Sequence, residues 1–193
     1  MRNMNVMILT SSPNIDGLTA ACGNAAKTGA EEAGANVVMV NLNQQRIGNC
    51  QACDNGWGSC RNEHQCQIKD DFQNLHASMA KFDAFVVITP VYWGDMSESA
   101  KAFTDRLRRC EALKKQNSFI EAKQVISVAA AGGSGNGIIS CLTSMERLFT
   151  HVRADKFDFI GVTQKNKNYK LNTIREGAKE MVSVLSRKGS KVD

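Results

Sequence analysis

Five short apolar segments alternate with segments whose apolar residues recur at helical spacing, and this alternation constrains the fold more than any other feature. The first four segments lie at residues 4–9, 36–40, 84–89 and 124–130, and the fifth lies within residues 153–162. Short continuous apolar runs are typical of strands buried on both faces. Alternation of such strands with helices predicts a parallel sheet with helices on both sides.

With five strands, we expect a three-layer α/β sandwich whose five-stranded parallel sheet has the flavodoxin-like order 2-1-3-4-5. The length of 193 residues, the hydrophobic content of 42% and the absence of a linker-like segment predict a single domain over residues 1–193. The cysteine-rich loop at residues 46–69 is expected to lie within this domain.

Charge and cysteine usage restrict the partners and the compartment. The net charge is +5, and the basic residues are dispersed rather than clustered with aromatic residues. We therefore expect no binding of nucleic acid. No apolar run approaches the length of a membrane span, and no signal peptide is apparent. Seven cysteines without an export signal favour a reducing setting, so we expect a cytoplasmic protein.

Three unusual loops follow strands that should end at the same edge of the sheet. Residues 10–19 offer hydroxyl groups and a helix start, which suit a phosphate. Residues 90–97 bring two aromatic side chains beside a glycine, and residues 131–137 contain four glycines that permit close approach to a flat ring. A phosphate at one end and a flat ring at the other describe FMN. The first loop lacks G-x-G-x-x-G, which makes a dinucleotide-binding Rossmann site less consistent with the sequence.

Residues 10–19, the sequence Thr-Pro-Val-Tyr-Trp from residue 89 and the sequence Lys-x-Phe-x-Asp-Arg from residue 101 resemble the NADPH-dependent FMN reductase and iron–sulfur flavoprotein family. The resemblance covers nearly the whole chain. It implies a flavodoxin-like fold, bound FMN and a homodimer or homotetramer. It also implies phosphate contacts and ring contacts at particular residues. The phosphate would be held by Ser11, Ser12, Asn14, Gly17, Leu18 and Thr19, and the ring would be bordered by Pro90, Val91, Tyr92, Trp93, Gly94, Gly132 and Gly133.

Four cysteines of the 46–69 loop, Cys50, Cys53, Cys60 and Cys66, have the spacing C-x2-C-x6-C-x5-C. Iron–sulfur members of the family use a tighter C-x2-C-x2-C pattern followed by a fourth cysteine. Here Gly56 stands at the place of the third ligand, so Cys60 would have to substitute. Four thiolates are suited to a [4Fe–4S] cluster or to zinc. Three alternatives stay open at this point: an iron–sulfur cluster, zinc, or reduced thiols without a metal.

The residues and the resemblance together predict an NAD(P)H-dependent oxidoreductase of the FMN reductase type. NAD(P)H is expected to donate a hydride to bound FMN, from which electrons pass to a small-molecule acceptor such as a quinone or a flavin. No catalytic side chain is predicted, because the flavin performs the chemistry. Two alternatives are an iron–sulfur flavoprotein that only carries electrons and an α/β interaction domain without a cofactor. Carriers of the flavodoxin type are usually strongly acidic, so the basic balance disfavours a carrier.

Overall fold

The parallel sheet forms from the predicted apolar segments. The structure is a computed structural model that describes residues 3–114 and 117–189. The strands are β1 (Asn5–Thr10), β2 (Asn36–Asn41), β3 (Ala84–Tyr92), β4 (Asp95–Met96), β5 (Gln124–Ala131) and β6 (Asp155–Thr163). The helices are α1 (Leu18–Glu32), α2 (Phe72–Ser78), α3 (Glu98–Glu111), α4 (Ile138–His151) and α5 (Lys167–Gly189).

The long strands lie in the order β2-β1-β3-β5-β6, and all their pairings are parallel. This order confirms the flavodoxin-like arrangement, with β5 and β6 as the predicted fourth and fifth strands. The predicted strand count was wrong by one, because β4 pairs antiparallel with the end of β3. β3 continues through Pro90 to Tyr92, and a two-residue turn then reverses the chain. A two-residue strand is too short to show a period in the sequence.

Two apolar cores lie on opposite faces of the sheet. On one face, α1 and α5 cover the sheet through Cys22, Ala26, Ile174 and Met181. On the other face, α2, α3 and α4 contribute side chains that include Phe72, Phe103, Leu107, Met145 and Phe149. The helices therefore bury both faces, as the continuous apolar strands predicted.

The carboxyl ends of β1, β3 and β5 meet at one edge of the sheet. β1 ends at Thr10, while β3 and β5 run on to Tyr92 and Ala131. Their register pairs Thr10 with Ile88, so β3 extends beyond β1 at this edge. In open α/β sheets this edge, at the point where the strand order reverses, is where ligands bind.

Candidate functional site

The loop between β1 and α1 combines hydroxyl groups with an uncapped helix end. Ser12 and Thr19 line a cleft of about 350 Å³. Helix α1 begins after Gly17, which provides no side-chain cap, and its first turn holds no acidic residue. The first N–H groups of a helix lack intrahelical partners, so this end of α1 suits an anion. The other lining residues are Thr10, Asn14, Ile15, Ala20, Asn24, Met39, Asn41 and Gln44.

Ser11 and Ser12 are both buried, but only Ser12 lines the cleft. The Ser11 hydroxyl donates to the carbonyl oxygen of Ile88 on β3 at 3.3 Å. The Ser12 hydroxyl accepts from the backbone N–H of Asn14 at 3.2 Å, and Asn41 donates to the Ser12 carbonyl at 3.0 Å. These bonds shape the loop on both sides, so that Ser12 faces the cleft while Ser11 anchors the loop to β3.

The hairpin between β3 and β4 borders a second and larger cleft. The backbone φ angles of Trp93 and Gly94 are +49° and +79°, which match the type I′ turns that join hairpin strands. A tryptophan at positive φ costs about 1–2 kcal/mol, and its side chain is fully exposed. The cleft has a volume of about 760 Å³ and is lined by Val91, Tyr92, Trp93, Gly94, Glu98, Asn136, Gly137 and Ser140.

Helix α4 holds the glycine-rich loop against this hairpin. The Ser140 hydroxyl donates to the carbonyl oxygen of Gly94 at 2.7 Å. Gly137 has φ of +82°, and a Cβ atom there would lie 2.6 Å from the Cα atom of Gly94. By contrast, Gly132 and Gly133 have no atom within 4 Å of an added Cβ, and neither lines the cleft. The close backbone approach in this loop is therefore at Gly137.

Ser97 connects the loop between β1 and α1 to the hairpin between β3 and β4. Its backbone N–H donates to the Thr89 hydroxyl at 3.0 Å, and its own hydroxyl donates to the Ser11 carbonyl at 2.9 Å. The same hydroxyl accepts from the backbone N–H of Ala100 at 3.4 Å and so caps α3. All these groups are buried. One serine therefore ties together the end of β1, the end of β3 and the start of α3.

Arg106 closes the cysteine-rich segment, residues 46–69, which we call the cysteine loop. Its guanidinium donates to the carbonyl oxygens of Gly48 and Ile68 at 3.0 and 3.2 Å, at the two ends of the loop. It also forms two bonds with the Asp70 carboxylate, at 2.6 and 2.9 Å. Burial raises the pKa of Asp70, but the bonds from Arg106 and from backbone N–H groups outweigh it and lower that pKa. The Arg106 side chain has no exposed surface.

The four cysteines of the loop line a single small cavity together with Arg106 and Arg109. The cavity has a volume of about 10 Å³, close to that of one water molecule. Arg109 donates to the Gly56 carbonyl and lies 4.7 Å over the ring of Trp57. Within residues 3–114 and 117–189, no three His, Cys, Asp or Glu side chains are grouped so as to hold a metal ion. The Nε atom of Arg106 is buried there without a hydrogen-bond partner.

The other three cysteines lie in the apolar cores. Cys22, Cys110 and Cys141 are completely buried, and this burial raises the pKa of each thiol to about 12. Thiols with such pKa values are protonated at neutral pH and react slowly. The half-buried cysteines of the loop therefore differ in kind from these three.

The structure thus gathers most of the expected FMN residues at one edge and adds others. Ser12, Asn14 and Thr19 lie on one cleft, and four consecutive residues from Val91 to Gly94 lie on the other. Sequence reasoning missed Glu98, Asn136 and Ser140. Glu98 and Ser140 lie in the first turns of α3 and α4, so a search of helix starts at this edge would have found both.

With this geometry in place, comparison with known proteins gives a consistent answer. The family model of NADPH-dependent FMN reductase matches residues 4–156. The chain belongs to the NADPH-dependent FMN reductase family. The predicted family membership is confirmed, and so is the predicted NAD(P)H-dependent flavin oxidoreductase class. This member of the FMN reductase family is accordingly an FMN-dependent oxidoreductase that uses NAD(P)H.

Individual relatives of this FMN reductase family member are distant. An iron–sulfur flavoprotein of Methanosarcina thermophila is 27% identical over 164 residues, which cover 81% of this chain and 82% of the relative. An iron–sulfur flavoprotein of Methanocaldococcus jannaschii is 28% identical over 134 residues, or 69% of this chain and 64% of the relative. The chain thus spans just under two thirds of the second relative.

A solved structure confirms the fold of this FMN reductase family member. The NAD(P)H:quinone oxidoreductase of Methanothermobacter marburgensis superposes with a TM-score of 0.72 and 18% identity, over 93% of this chain and 96% of the other. No helix in the described residues is both long and apolar enough to cross a membrane.

Proposed function

We propose that this oxidoreductase binds the FMN phosphate at residues 10–19 and the FMN ring in the larger cleft, and passes electrons from NAD(P)H to a quinone, a flavin or a similar small acceptor. One observation carries the proposal: a hydroxyl-lined helix start and an aromatic, glycine-bordered cleft lie at the same sheet edge and are joined by Ser97. When bound, FMN accepts a hydride and releases electrons to a second substrate. The protein residues bind the two substrates and orient them.

The residues at the start of α1 are suited to binding the FMN phosphate. The start of α1 offers N–H groups of the helix beginning at Leu18, and Gly17 leaves that end open to a ligand. Ser12 and Thr19 add hydroxyl donors from the cleft wall. Helix N-termini also carry a partial positive charge, which favours a dianion. Ser11 and Asn14 act indirectly in this proposal, because their contacts fix the shape of the loop.

The ring end fits a flat aromatic group. Tyr92 and Trp93 provide aromatic surface, and Val91 and Gly94 line the cleft beside them. Trp93 keeps its costly backbone conformation while its side chain is fully in solvent. Such strain at a cleft is typical of a residue held for a ligand. We expect Pro90, Gly132 and Gly133 to contribute only through the shape of their loops.

The volume of the larger cleft suits a small-molecule acceptor. This volume, about 760 Å³, is within the range of small-molecule sites. The exposed Trp93 offers a flat apolar surface on which a quinone or a second flavin can stack. The name of the Methanothermobacter protein with the same fold, NAD(P)H:quinone oxidoreductase, supports a quinone as the first acceptor to test.

The test is FMN binding followed by turnover. Thr19→Val removes a hydroxyl from the cleft, while Thr28→Val removes one from the exposed side of the same helix, where it bonds to Asn24. A hydrogen bond to a charged group contributes about 1.5–3 kcal/mol. We therefore expect Thr19→Val to weaken FMN binding at least tenfold and Thr28→Val to leave it unchanged. The FMN-loaded protein should oxidise NAD(P)H with a benzoquinone as acceptor. A protein that binds no FMN, or holds FMN that NAD(P)H does not reduce, contradicts the proposal.

A second candidate is an iron–sulfur flavoprotein that carries electrons, because four thiols line one cavity and two guanidinium groups face it. The chemistry of the donors agrees with a [4Fe–4S] cluster at Cys50, Cys53, Cys60 and Cys66. The geometry does not, since the described cysteines form no metal-ligating group. We therefore derive no electron-transfer step through a cluster.

Metal analysis decides among the three alternatives for the loop. Protein purified without oxygen is analysed for iron, acid-labile sulfide and zinc, and its absorption spectrum is recorded. Four iron atoms and four sulfides per chain would establish the cluster and require the cysteine loop to rearrange. One zinc atom per chain would establish a structural zinc site. Flavin with neither metal would establish reduced thiols.

We also propose that the protein is a cytoplasmic homodimer or homotetramer. Exposed Trp93 and Ile139 leave large apolar surface near the cleft, which favours contact with a second copy. Light scattering coupled to gel filtration measures the mass, and a monomer at micromolar concentration contradicts this part. Fractionation of cells tests the compartment.

A further inference from the structure

A hydrogen-bonded turn follows β6 at the same sheet edge as the larger cleft. The backbone N–H of Thr163 donates to the side-chain carbonyl of Asn166 at 2.7 Å, and the N–H of Asn166 donates to the Thr163 hydroxyl at 3.3 Å. A Cβ atom on Gly135 would lie 3.0 Å from the Thr163 side chain. The next residue, Asn136, lines the cleft. The turn therefore borders the loop that closes the candidate flavin site.

The turn and the start of α5 carry uncompensated positive charge. Lys165, Lys167 and Lys170 lie there, and residues 159–175 contain no Asp or Glu. Across the residues that the structure describes, none of these three ammonium groups has a carboxylate within ion-pair distance. Lys27 and Lys101, by contrast, pair with acidic residues one helical turn away. The field at this turn therefore favours an anionic ligand.

An exposed aromatic ring, that of Tyr169, lies beside Lys170 at the start of α5. Tyr169 is 62% exposed, and the ammonium group of Lys170 lies 5.7 Å from the centre of its ring. Aromatic rings stack on nucleobases, while ammonium groups bind phosphates. A tyrosine between lysines thus has the two groups needed to recognise a phosphorylated nucleoside. A surface that only docked an acidic protein would need the charges but not the ring.

We propose that Lys165, Lys167 and Tyr169 form the subsite for the adenosine end of NADPH, with the lysines binding its 2′-phosphate and the tyrosine stacking on adenine. The inference rests on the proposed function, because the nicotinamide end must reach the cleft beside Asn136. With the nicotinamide in the cleft, the adenosine end lies outside it, and the adjoining turn supplies the matching groups. These residues bind and select the donor; they do not take part in hydride transfer.

The test measures nucleotide preference in the FMN-loaded protein. The variants are Lys165→Gln combined with Lys167→Gln, and separately Tyr169→Ala. An exposed contact between opposite charges contributes up to about 1 kcal/mol, or about fivefold in affinity. We expect the double lysine variant to lower kcat/KM for NADPH about tenfold through KM and to leave kcat/KM for NADH unchanged. Tyr169→Ala should lower both values. Lys27→Gln is the control and should change neither.

A binding measurement separates this inference from the proposed function. Adenosine 2′,5′-bisphosphate should bind the wild-type protein more tightly than adenosine 5′-monophosphate does, and the double lysine variant should abolish the difference. This readout does not require turnover, so it remains informative if NAD(P)H fails to reduce the flavin. Equal use of NADPH and NADH by the wild type overturns the inference. An unchanged preference for NADPH over NADH in the double lysine variant also overturns it. This includes the outcome in which the variant only slows electron transfer to an acidic redox protein.

Discussion

Replacing Arg106 by methionine tests whether this one side chain holds the cysteine loop closed. Methionine keeps the aliphatic packing and removes four hydrogen bonds, two to loop carbonyls and two to the Asp70 carboxylate. Arg106 has no exposed side-chain surface, and that of Asp70 is only 14% exposed. Removing one partner of a buried ion pair costs about 3–5 kcal/mol, because the other charge stays buried without compensation.

The assay is amide hydrogen exchange over residues 46–72. The N–H groups of Gly48 and Phe72 donate to Asp70, so they report directly on this contact. If the loop opens locally, a loss of about 3–5 kcal/mol accelerates their exchange by about two to four orders of magnitude. If the whole domain is destabilised instead, the free energy of unfolding in urea falls by the same amount.

Arg46→Met is the matched control. Arg46 also pairs with a carboxylate at the loop boundary, that of Asp71 at 3.5 Å, but its side chain is 91% exposed. Exposed pairs contribute about 0–1 kcal/mol, so exchange should rise less than about fivefold. Equal effects of the Arg106 and Arg46 variants on exchange and on stability would refute the argument that burial makes Arg106 the dominant contact.

Three further predictions concern other buried contacts. Burial opposes ionisation of Glu111, yet bonds from His76, Ser118 and a backbone N–H lower its pKa from 4.5 to about 2. Because the folded pKa is the lower one, the stabilisation by ionised Glu111 is present above pH 4.5 and is lost as the pH falls towards 2. Between these pH values, the free energy of unfolding in urea should fall by about 3 kcal/mol more in the wild type than in Glu111→Gln. Gly137→Ala should lower the melting temperature, since an alanine at positive φ costs about 1–2 kcal/mol before any clash with the hairpin, whereas Gly133→Ala should not, because its Cβ meets no atom. Ser97→Ala should cost about 1–2 kcal/mol as a lost cap and should also weaken FMN binding.

Each of these three predictions has an outcome that contradicts it. A parallel pH dependence for the wild type and Glu111→Gln would show that the carboxylate is not responsible. Equal melting temperatures for the two glycine variants would refute the close approach of Gly137 to the hairpin. Unchanged FMN affinity in Ser97→Ala would show that the two clefts act independently.

The sequence predicted the sheet order and the edge at which the two clefts lie, because the alternation of buried strands and helices is visible in the sequence. It also singled out residues 90–97 and residues 10–19 as loops with unusual residue types. It did not predict β4, because the type I′ turn depends on positive φ at Trp93, which a sequence pattern does not show. Gly137, rather than Gly132 or Gly133, makes the close approach, and only packing against Gly94 distinguishes them.

The burial of Arg106 in α3 is not predicted by any pattern in the sequence. Arg106 is buried because the cysteine loop folds over it and Asp70 neutralises it. Asp70 and Arg106 are 36 residues apart, and no local pattern links them. The two aspartates before α2, Asp70 and Asp71, have different partners. The Asp70 carboxylate accepts from the Phe72 N–H, while that of Asp71 accepts from the Arg46 N–H.

The hydrogen bonds from Arg106 to the two ends of the cysteine loop also affect how the loop can change during evolution. Since the guanidinium binds the carbonyls of Gly48 and Ile68, it holds the two ends of the loop together. The positions of these ends do not depend on the residues between them. Doubling the length of a flexible loop costs only about 0.6 kcal/mol in closure entropy. Insertions, deletions and shifted cysteines between these ends therefore change the free energy of folding only slightly. Cysteine spacing can drift from one relative to the next, and thiol chemistry can be gained or lost, while the sheet edge that carries the two clefts keeps its shape.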